Sequence, residues 1–267
     1  MKSKKMGFES TLIHGGNYKD SMGSATVPIY QTSTFAFENA EHGASCFSGE
    51  SDGYIYTRIG NPTIKALENI VAELECGYGG IAVSSGMAAA NVCYATFLEK
   101  GAHIVSTGAV YGPSRMVVEN YYSKFGVEYS YVNTSDRENI KKAIRPNSKV
   151  LYIETPANPT MDITDISACA ELAHNHGMVL VVDNTFCSPY LQKPLELGAD
   201  VVFHSMTKFI NGHADIVAGI IVAKTKELYG KLRPVMVNMG FNMDPHQAYM
   251  VIRSEEHTSE LQSRQVI

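Results

Sequence analysis

Two short apolar runs decide the fold of this chain: Val179-Leu-Val-Val-Asp183-Asn184 and Asp200-Val-Val-Phe-His-Ser205-Met-Thr207-Lys208. Each run has the length and the branched residues of a buried strand, and each ends in polar residues. A helical candidate, Leu191–Leu197, lies between them. Strands separated by a helix predict a parallel pair within one sheet.

The same alternation extends in both directions. Short apolar runs are found at Ile81–Val83, His103–Ser106, Val127–Val132, Val150–Glu154, Val179–Val182, Val201–His204 and Gly219–Ala223. Helical spacing occurs at Met87–Leu98, Pro113–Phe125, Arg137–Ile144, Ile163–His176 and Leu191–Leu197. We therefore predict an α/β fold, with a mostly parallel sheet and helices on both faces. Ligands of such sheets bind outside the carboxyl ends of the strands.

The pattern is weaker towards the start of the chain. Glycines and prolines break the periodicity of residues 1–50, which are predicted to form an irregular, extended N-terminal arm with one strand-like stretch at Thr32–Phe37. A helix is predicted to begin after Asn61, a good N-cap followed by a proline, and to end near Gly77. Residues 51–253 are predicted to form one large domain.

Composition and charge exclude several classes of protein. The 267 residues are 45% hydrophobic, which is enough for a substantial core. A formal net charge of −5 gives no reason to expect a nucleic-acid partner. The longest uncharged stretch, residues 76–98, is broken by glycines, so neither a membrane span nor a secretory signal is predicted. Five scattered cysteines without metal-type spacing indicate a reduced, cytoplasmic protein with no metal site.

Three motifs at predicted strand ends could carry chemistry. Ser84-Ser85-Gly86-Met87 joins a strand to a helix, where free amides can bind a phosphate, although ordinary turns have the same form. Asp183 ends a buried strand and either pairs with a cation or caps a loop. Lys208 follows a buried strand beside two hydroxyls, Ser205 and Thr207, and is either an imine-forming nucleophile or a solvated surface residue.

In combination, these motifs resemble the pyridoxal-phosphate (PLP) enzymes of cysteine and methionine metabolism, the trans-sulfuration family. The resemblance covers about residues 8–253 and is closest to the methionine and cystathionine γ-lyases. The matching motifs are His14-Gly-Gly, Pro28-Ile-Tyr-Gln-Thr-Ser-Thr-Phe, Tyr56-Thr-Arg58-Ile-Gly-Asn-Pro-Thr, Ser84-Ser-Gly-Met, Val110-Tyr111-Gly, Glu154-Thr-Pro-Ala-Asn158-Pro, Val182-Asp183-Asn184-Thr and the lysine motif. The resemblance implies the large domain of a fold type I PLP-dependent transferase, similar to that of aspartate aminotransferase.

The resemblance also implies a role for each candidate residue. Lys208 would bind PLP covalently, Asp183 would pair with the pyridinium nitrogen, and Tyr111 would stack on the ring and act as an acid. The phosphate would be bound by Gly86, Met87, Ser205 and Thr207, and the ring hydroxyl by Asn158. Tyr56 and Arg58 would reach the phosphate of a neighbouring subunit, so a homo-oligomer, a dimer of dimers with shared sites, is expected.

The implied function is a PLP-dependent carbon–sulfur lyase that acts on a small sulfur amino acid by α,γ-elimination. A transferase of the same family (O-acetylhomoserine sulfhydrylase or cystathionine γ-synthase) and cystathionine β-lyase are alternatives. A non-catalytic protein that binds a phosphate ligand is a more remote one. Pro113 stands where methionine γ-lyases commonly have a cysteine, which weakens a strict methionine γ-lyase assignment.

The end of the chain departs from the family. After Arg253 the family pattern stops, and residues 254–267 resemble a translated sequencing adapter, so a non-native, unpacked tail is predicted. The small C-terminal domain of the family, with its arginine for the substrate carboxylate, is then expected to be missing. Such a chain would bind PLP weakly and show little activity.

Overall fold

The computed structural model of the protein describes residues 6–17 and 20–255. Within these residues, seven strands form one sheet: β1 (Gly79–Val83), β2 (His103–Thr107), β3 (Glu128–Val132), β4 (Ser148–Glu154), β5 (Val179–Asp183), β6 (Val201–His204) and β7 (Gly219–Ala223). The helices are α1 (Phe8–His14), α2 (Ala40–Ser48), α3 (Pro62–Leu74), α4 (Gly86–Phe97), α5 (Gly112–Asn120), α6 (Arg137–Ala143), α7 (Ile166–Asn175), α8 (Ser188–Leu191), α9 (Lys226–Met239) and α10 (Pro245–Glu255).

The strand order is β1-β7-β6-β5-β4-β2-β3. Only β7 runs against its neighbours, and the other pairs in the sheet are parallel. The predicted α/β fold with a mostly parallel sheet is confirmed, and each of the seven predicted strands is present. Glu154 and Asp183 are partners in the register of β4 and β5, so the carboxyl ends of these two strands lie side by side.

Apolar side chains cover both faces of the sheet. One face packs against α3 and α7 through residues such as Leu67, Leu172, Val182 and Ile220. The other face packs against α4 and α9 through Val92, Tyr152, Phe203, Ile221 and Leu232. Consecutive residues Ile220 and Ile221 belong to opposite faces because side chains alternate along a strand. Burial on both faces explains why the strands read as continuous apolar runs.

Several predicted helices have different bounds in the structure: α5 ends at Asn120 instead of Phe125, and α7 begins at Ile166 instead of Ile163. α3 begins as predicted, with the Asn61 side chain accepting a hydrogen bond from Thr63 N, but it ends at Leu74. The predicted helix Leu191–Leu197 is wrong, since α8 is a single turn that ends at Leu191. Pro194 lies inside the predicted range and has no N–H to donate, and the chain continues there as turns.

The first 50 residues are more regular than the sequence predicted. They contain α1 and α2, and the stretch Thr32–Phe37 makes one isolated bridge, between Thr34 and Tyr56. α2 has a clear N-cap, because Asn39 Oδ1 accepts a hydrogen bond from His42 N. α1 is held by packing, with Leu12 against the buried face of α3. Helices of seven and nine residues are too short for periodicity alone to reveal.

Two further helices, α9 and α10, follow the last strand and were not predicted. The predicted non-native tail lies almost wholly outside the described residues, which end in α10 at Glu255. The division of the chain into an arm (1–50), a large domain (51–253) and a tail (254–267) stays a prediction. Among the described helices, none has the length and apolar character needed to cross a membrane.

Candidate active site

A cavity of about 800 Å³ lies at the carboxyl ends of β4, β5 and β6. Eight of the ten predicted cofactor-binding residues line it: Gly86, Met87, Tyr111, Asn158, Asp183, Ser205, Thr207 and Lys208. These residues come from five separate segments of the chain. The structure therefore brings most of the predicted site together at the edge of the sheet where ligands of such folds bind.

The start of α4 forms one wall of the cavity. Ser85 is the N-cap, and its hydroxyl oxygen accepts a hydrogen bond from Ala88 N at 3.0 Å. The amides of Gly86 and Met87, which come before it in the first turn, donate to no acceptor among the described residues. A Cβ at position 86 would lie 2.6 Å from Ser205 Cβ, so only glycine fits here. Free amides at the positive end of a helix suit a phosphate group.

The loop after β6 brings Ser205, Thr207 and Lys208 to the cavity. The Thr207 hydroxyl donates to Ala218 O at 3.2 Å and accepts from Ala218 N at 3.0 Å, so in this structure it is paired with backbone. Lys208 is exposed and makes no salt bridge with another described residue. The Lys208 amine therefore lines the cavity, with the start of α4, without an acidic partner among the described residues.

Asp183, at the end of β5, is buried beside this amine-bearing loop. Its Oδ1 atom accepts hydrogen bonds from the backbone and the hydroxyl of Thr185. Its Oδ2 atom accepts none from the described residues. Burial raises the pKa of Asp183 above its usual value, although the Thr185 hydrogen bonds act in the opposite direction. A cation bound in the cavity would relieve this cost.

Glu154 is a second buried carboxylate at the cavity, and sequence analysis assigned it no role. Its Oε2 atom accepts a hydrogen bond from Tyr111 N at 2.7 Å, and its Oε1 atom accepts one from Asn158 N at 2.9 Å. Burial, followed by the neighbouring charge of Asp183, raises the pKa of Glu154 to about 7. The sequence signal for Glu154 is that it is the last residue of a buried strand, as Asp183 is of the next strand.

Aromatic and aliphatic side chains complete the lining. The Tyr111 ring is 46% exposed at the N-terminus of α5. Sequence analysis did not single out the remaining apolar lining residues, which are Phe186, Phe203, Phe209, Ala214, Ile216 and Val217. They come from loops and from the middle of a strand, where an apolar residue cannot be distinguished from core by sequence alone.

Two of the predicted phosphate ligands, Tyr56 and Arg58, do not line the cavity. Arg58 Nη1 donates to Val237 O at 2.7 Å, near the C-terminus of α9, and the guanidinium lies 5.3 Å from the centre of the Tyr56 ring. These residues were predicted to act in the site of a neighbouring subunit. That role stays a prediction, because the structure contains a single chain.

The groups around the cavity fit PLP in their chemistry. Free helix amides suit its phosphate, a buried carboxylate suits its pyridinium nitrogen, and an unpaired lysine suits its aldehyde. Residues 9–257 match the family described as Cys/Met metabolism PLP-dependent enzymes. The chain belongs to this family. The resemblance found in the motifs is thereby confirmed, and so is PLP as the cofactor of the family.

Similar proteins point to the lyase branch of the family. The chain is 45% identical to a protein named L-methionine gamma-lyase from Treponema denticola, over 97% of this chain and 67% of that protein. It is 46% identical to a protein of the same name from Fusobacterium nucleatum, over 95% of this chain and 65% of that protein. The chain thus spans about two thirds of the length of these curated relatives.

A solved structure supports the fold assignment. The crystal structure of cystathionine gamma-lyase from Lactobacillus plantarum, complexed with L-serine, superposes with a TM-score of 0.89 at 38% sequence identity. The match covers 95% of this chain and 64% of that chain. The fold is therefore the one shared by PLP-dependent enzymes of this family.

Proposed function

We propose that this protein is a PLP-dependent carbon–sulfur lyase that acts on a sulfur amino acid and releases ammonia, a 2-oxo acid and a thiol. The observation that carries the proposal is that Lys208, Asp183 and the free amides of α4 line one and the same cavity. The names of the similar proteins support the choice of substrate class.

When bound, PLP supplies an electron-withdrawing ring that stabilises negative charge on the α carbon of an amino acid. Asp183 would hold a proton on the ring nitrogen, since its buried carboxylate needs a cationic partner. The amides of Gly86 and Met87 and the Ser205 hydroxyl would bind the phosphate. The Thr207 hydroxyl can join them by giving up its hydrogen bond to Ala218 O.

Two side chains of the cavity move protons. The Lys208 amine would hold the cofactor and, as a free amine, would be the base that takes a proton from the α carbon of the substrate. The Tyr111 hydroxyl would give a proton to the departing sulfur, and its position in the lining of the same cavity supports this role. The apolar residues of the lining would exclude water and accept the thioether part of the substrate.

A transferase of the same family is the second candidate function. Pro113, in the first turn of α5 and two residues after Tyr111, offers no polar side chain where methionine γ-lyases commonly have a thiol. This position favours an enzyme that replaces an O-acyl group of homoserine by a thiol, or one that prefers cystathionine. A cystathionine β-lyase would use the same residues.

The proposal includes assembly and location. We propose a cytoplasmic homo-oligomer, a dimer of dimers, in which Tyr56 and Arg58 complete the site of a neighbouring subunit. The position of both residues away from the cavity of their own chain supports this. A small domain following Arg253 in the whole protein would supply the arginine for the substrate carboxylate.

The test measures cofactor binding and turnover separately. The chain joined after Arg253 to the last third of a γ-lyase relative should keep the yellow absorbance of lysine-bound PLP after free PLP has been removed by dialysis, and a Lys208→Ala variant of it should not. Turnover is measured on the chain joined after Arg253 to the last third of a γ-lyase relative. Ammonia and a 2-oxo acid released without an added thiol support a lyase. Product formed only from O-acetylhomoserine plus a thiol indicates the transferase, and a colourless wild type refutes both.

A further inference from the structure

Glu154 connects the backbone at Tyr111 with the backbone at Asn158. Its two oxygen atoms accept hydrogen bonds from the amides of Tyr111 and Asn158, which are 43 and 4 residues away in sequence. The carboxylate is 2% exposed, so water does not compete for these bonds. One side chain therefore fixes the backbone at both positions.

The side chains of Tyr111 and Asn158 have little else to hold them. Neither the Tyr111 hydroxyl nor the Asn158 side-chain amide makes a hydrogen bond with another described residue. Tyr111 has no side-chain cap interaction at the start of α5, and almost half of its surface is exposed. The direction in which each side chain enters the cavity is thus set by its backbone, and the backbone is anchored on Glu154.

Glu154 is not itself placed to exchange protons with a substrate. Both of its oxygen atoms are occupied by backbone N–H groups. It also stands beside Asp183 across the paired strands β4 and β5. Two neighbouring buried carboxylates are unfavourable unless a cation is bound near them, and the charge of Asp183 contributes, after burial, to the raised pKa of Glu154. A cationic ring nitrogen at Asp183 would therefore also stabilise the ionised, hydrogen-bonded form of Glu154.

We propose that Glu154 is a positioning residue, whose carboxylate sets Tyr111 and Asn158 in the places from which they contact the cofactor ring. This inference rests on the proposed function only in taking the ring to be that of PLP. The anchoring of the two loops is a property of the cofactor-free chain.

The test compares Glu154→Gln with wild type. A glutamine has one oxygen that can accept a hydrogen bond, and its NH2 group opposes the second backbone donor. PLP affinity should fall about tenfold, because a buried donor is left unsatisfied and one ring contact is displaced. The circular dichroism of bound PLP should weaken, while borohydride should still attach the cofactor to Lys208. Glu154→Asp, which keeps the charge but is one methylene shorter, should bind PLP with intermediate affinity.

Asp200→Asn is the matched control. Asp200 also accepts a backbone hydrogen bond, from Leu180 N at 2.8 Å, but it does not line the cavity. This variant should bind PLP as wild type does. Equal PLP affinity and an equal dichroism signal in Glu154→Gln would overturn the proposal.

Amide hydrogen exchange in the cofactor-free chain separates this inference from the proposed function. Either Tyr111 N–H or Asn158 N–H should exchange faster in Glu154→Gln than in wild type. If wild type binds no PLP even when it is joined after Arg253 to the last third of a γ-lyase relative, the proposed function fails, and the exchange rates still decide whether Glu154 anchors both loops. Unchanged protection of both amides would refute the anchoring.

Discussion

Charge decides the chemistry of this cavity at the scale of single residues. The ionisable groups that line it include an exposed amine, Lys208, and two buried carboxylates, Asp183 and Glu154. The carboxylates are costly to the cofactor-free protein because burial opposes their ionisation. A site that destabilises its own empty form in this way is adapted to a cationic ligand.

Lys208 is expected to be the residue that binds PLP covalently. Reduction of the PLP-loaded protein with borohydride should attach the cofactor to a single peptide that contains Lys208. Lys208→Ala should lower the turnover of the extended protein by about 10³-fold or more, since it removes both the anchor and the base. Peptide mass spectrometry reads the label, and Lys193→Ala is the control. A label on another lysine would contradict the assignment.

Asp183→Asn should preserve the fold and remove most of the activity. An asparagine oxygen can still accept the hydrogen bonds of Thr185, and the cost of burying a charge disappears. The cofactor-free variant should therefore melt at the wild-type temperature or above it. Turnover should fall about 100-fold or more because an uncharged partner no longer keeps the ring nitrogen protonated. Near-normal turnover would contradict the role of Asp183.

The pH dependence of stability should report on Glu154. Its pKa is raised from 4.5 to about 7 in the folded chain, so the folded state holds this proton more tightly than the unfolded state. The contribution to stability is complete below pH 4.5 and is lost as the pH rises through about 7. Relative to Glu154→Gln, wild type should therefore lose up to ~1.4 kcal/mol of unfolding free energy per pH unit across this window.

The comparison with Glu154→Gln is needed because other groups titrate over the same range. Asp183, across the strand pair, has a raised pKa and acts in the same direction. Burial lowers the pKa of His103 to about 4, so His103 stabilises the fold as the pH rises. Urea unfolding from pH 5 to pH 8 measures the difference between the two proteins. A difference that does not change with pH would contradict the raised pKa.

At the scale of elements, the start of α4 and its contact with the loop after β6 shape the phosphate end of the cavity. Ser85 caps the helix and leaves two amides free, and Gly86 lets Ser205 approach the helix closely. The anion site therefore depends on two segments that are 119 residues apart in sequence.

Gly86→Ala should damage this contact. The added Cβ would lie 2.6 Å from Ser205 Cβ and force the helix and the loop apart, at a cost of about 1–3 kcal/mol in stability. PLP affinity should fall as well. Gly230→Ala is the control, because Gly230 lies inside α9 with no atom within 4 Å of the added Cβ, and it should stabilise the protein by ~0.5–1 kcal/mol. Thermal melting and PLP titration measure both effects.

In the arrangement of the chain as a whole, Tyr56 and Arg58 are the two predicted site residues that lie away from the cavity. The segment that carries Tyr56 and Arg58 is tied to α9 by the Arg58 hydrogen bond to Val237 O. A second bond, from Arg233 Nη2 to Ile59 O at 2.7 Å, holds the same segment. The segment is thus attached to α9 of its own chain, away from the cavity of that chain.

Mixing two inactive variants should restore activity if sites are shared between subunits. An Arg58→Ala chain retains Lys208, and a Lys208→Ala chain retains Arg58, so a mixed dimer contains one intact site. With random pairing of the extended proteins, about a quarter of wild-type activity should return. Mass spectrometry of the native assembly verifies the mixed dimers. No recovery in proven mixed dimers would show that each chain completes its own site.

The sequence alone determined the seven strands, the class of fold and ten candidate residues, eight of which line one cavity. This succeeded because apolar runs and turn residues are local signals, and because motifs at strand ends necessarily meet at one edge of a parallel sheet. The sequence misjudged α8, where Pro194 breaks a helical pattern, and it missed α1, which depends on Leu12 packing against α3.

Only the tertiary structure decided how the candidate residues are connected. The reversed direction of β7, the hydrogen bond from Tyr111 N to Glu154 and the attachment of Arg58 to α9 all join residues that are distant in sequence. A carboxylate at a strand end looks the same in sequence whether it caps a turn, pairs with a cofactor or anchors two loops. Its partners, its burial and therefore its pKa exist only once the chain has folded.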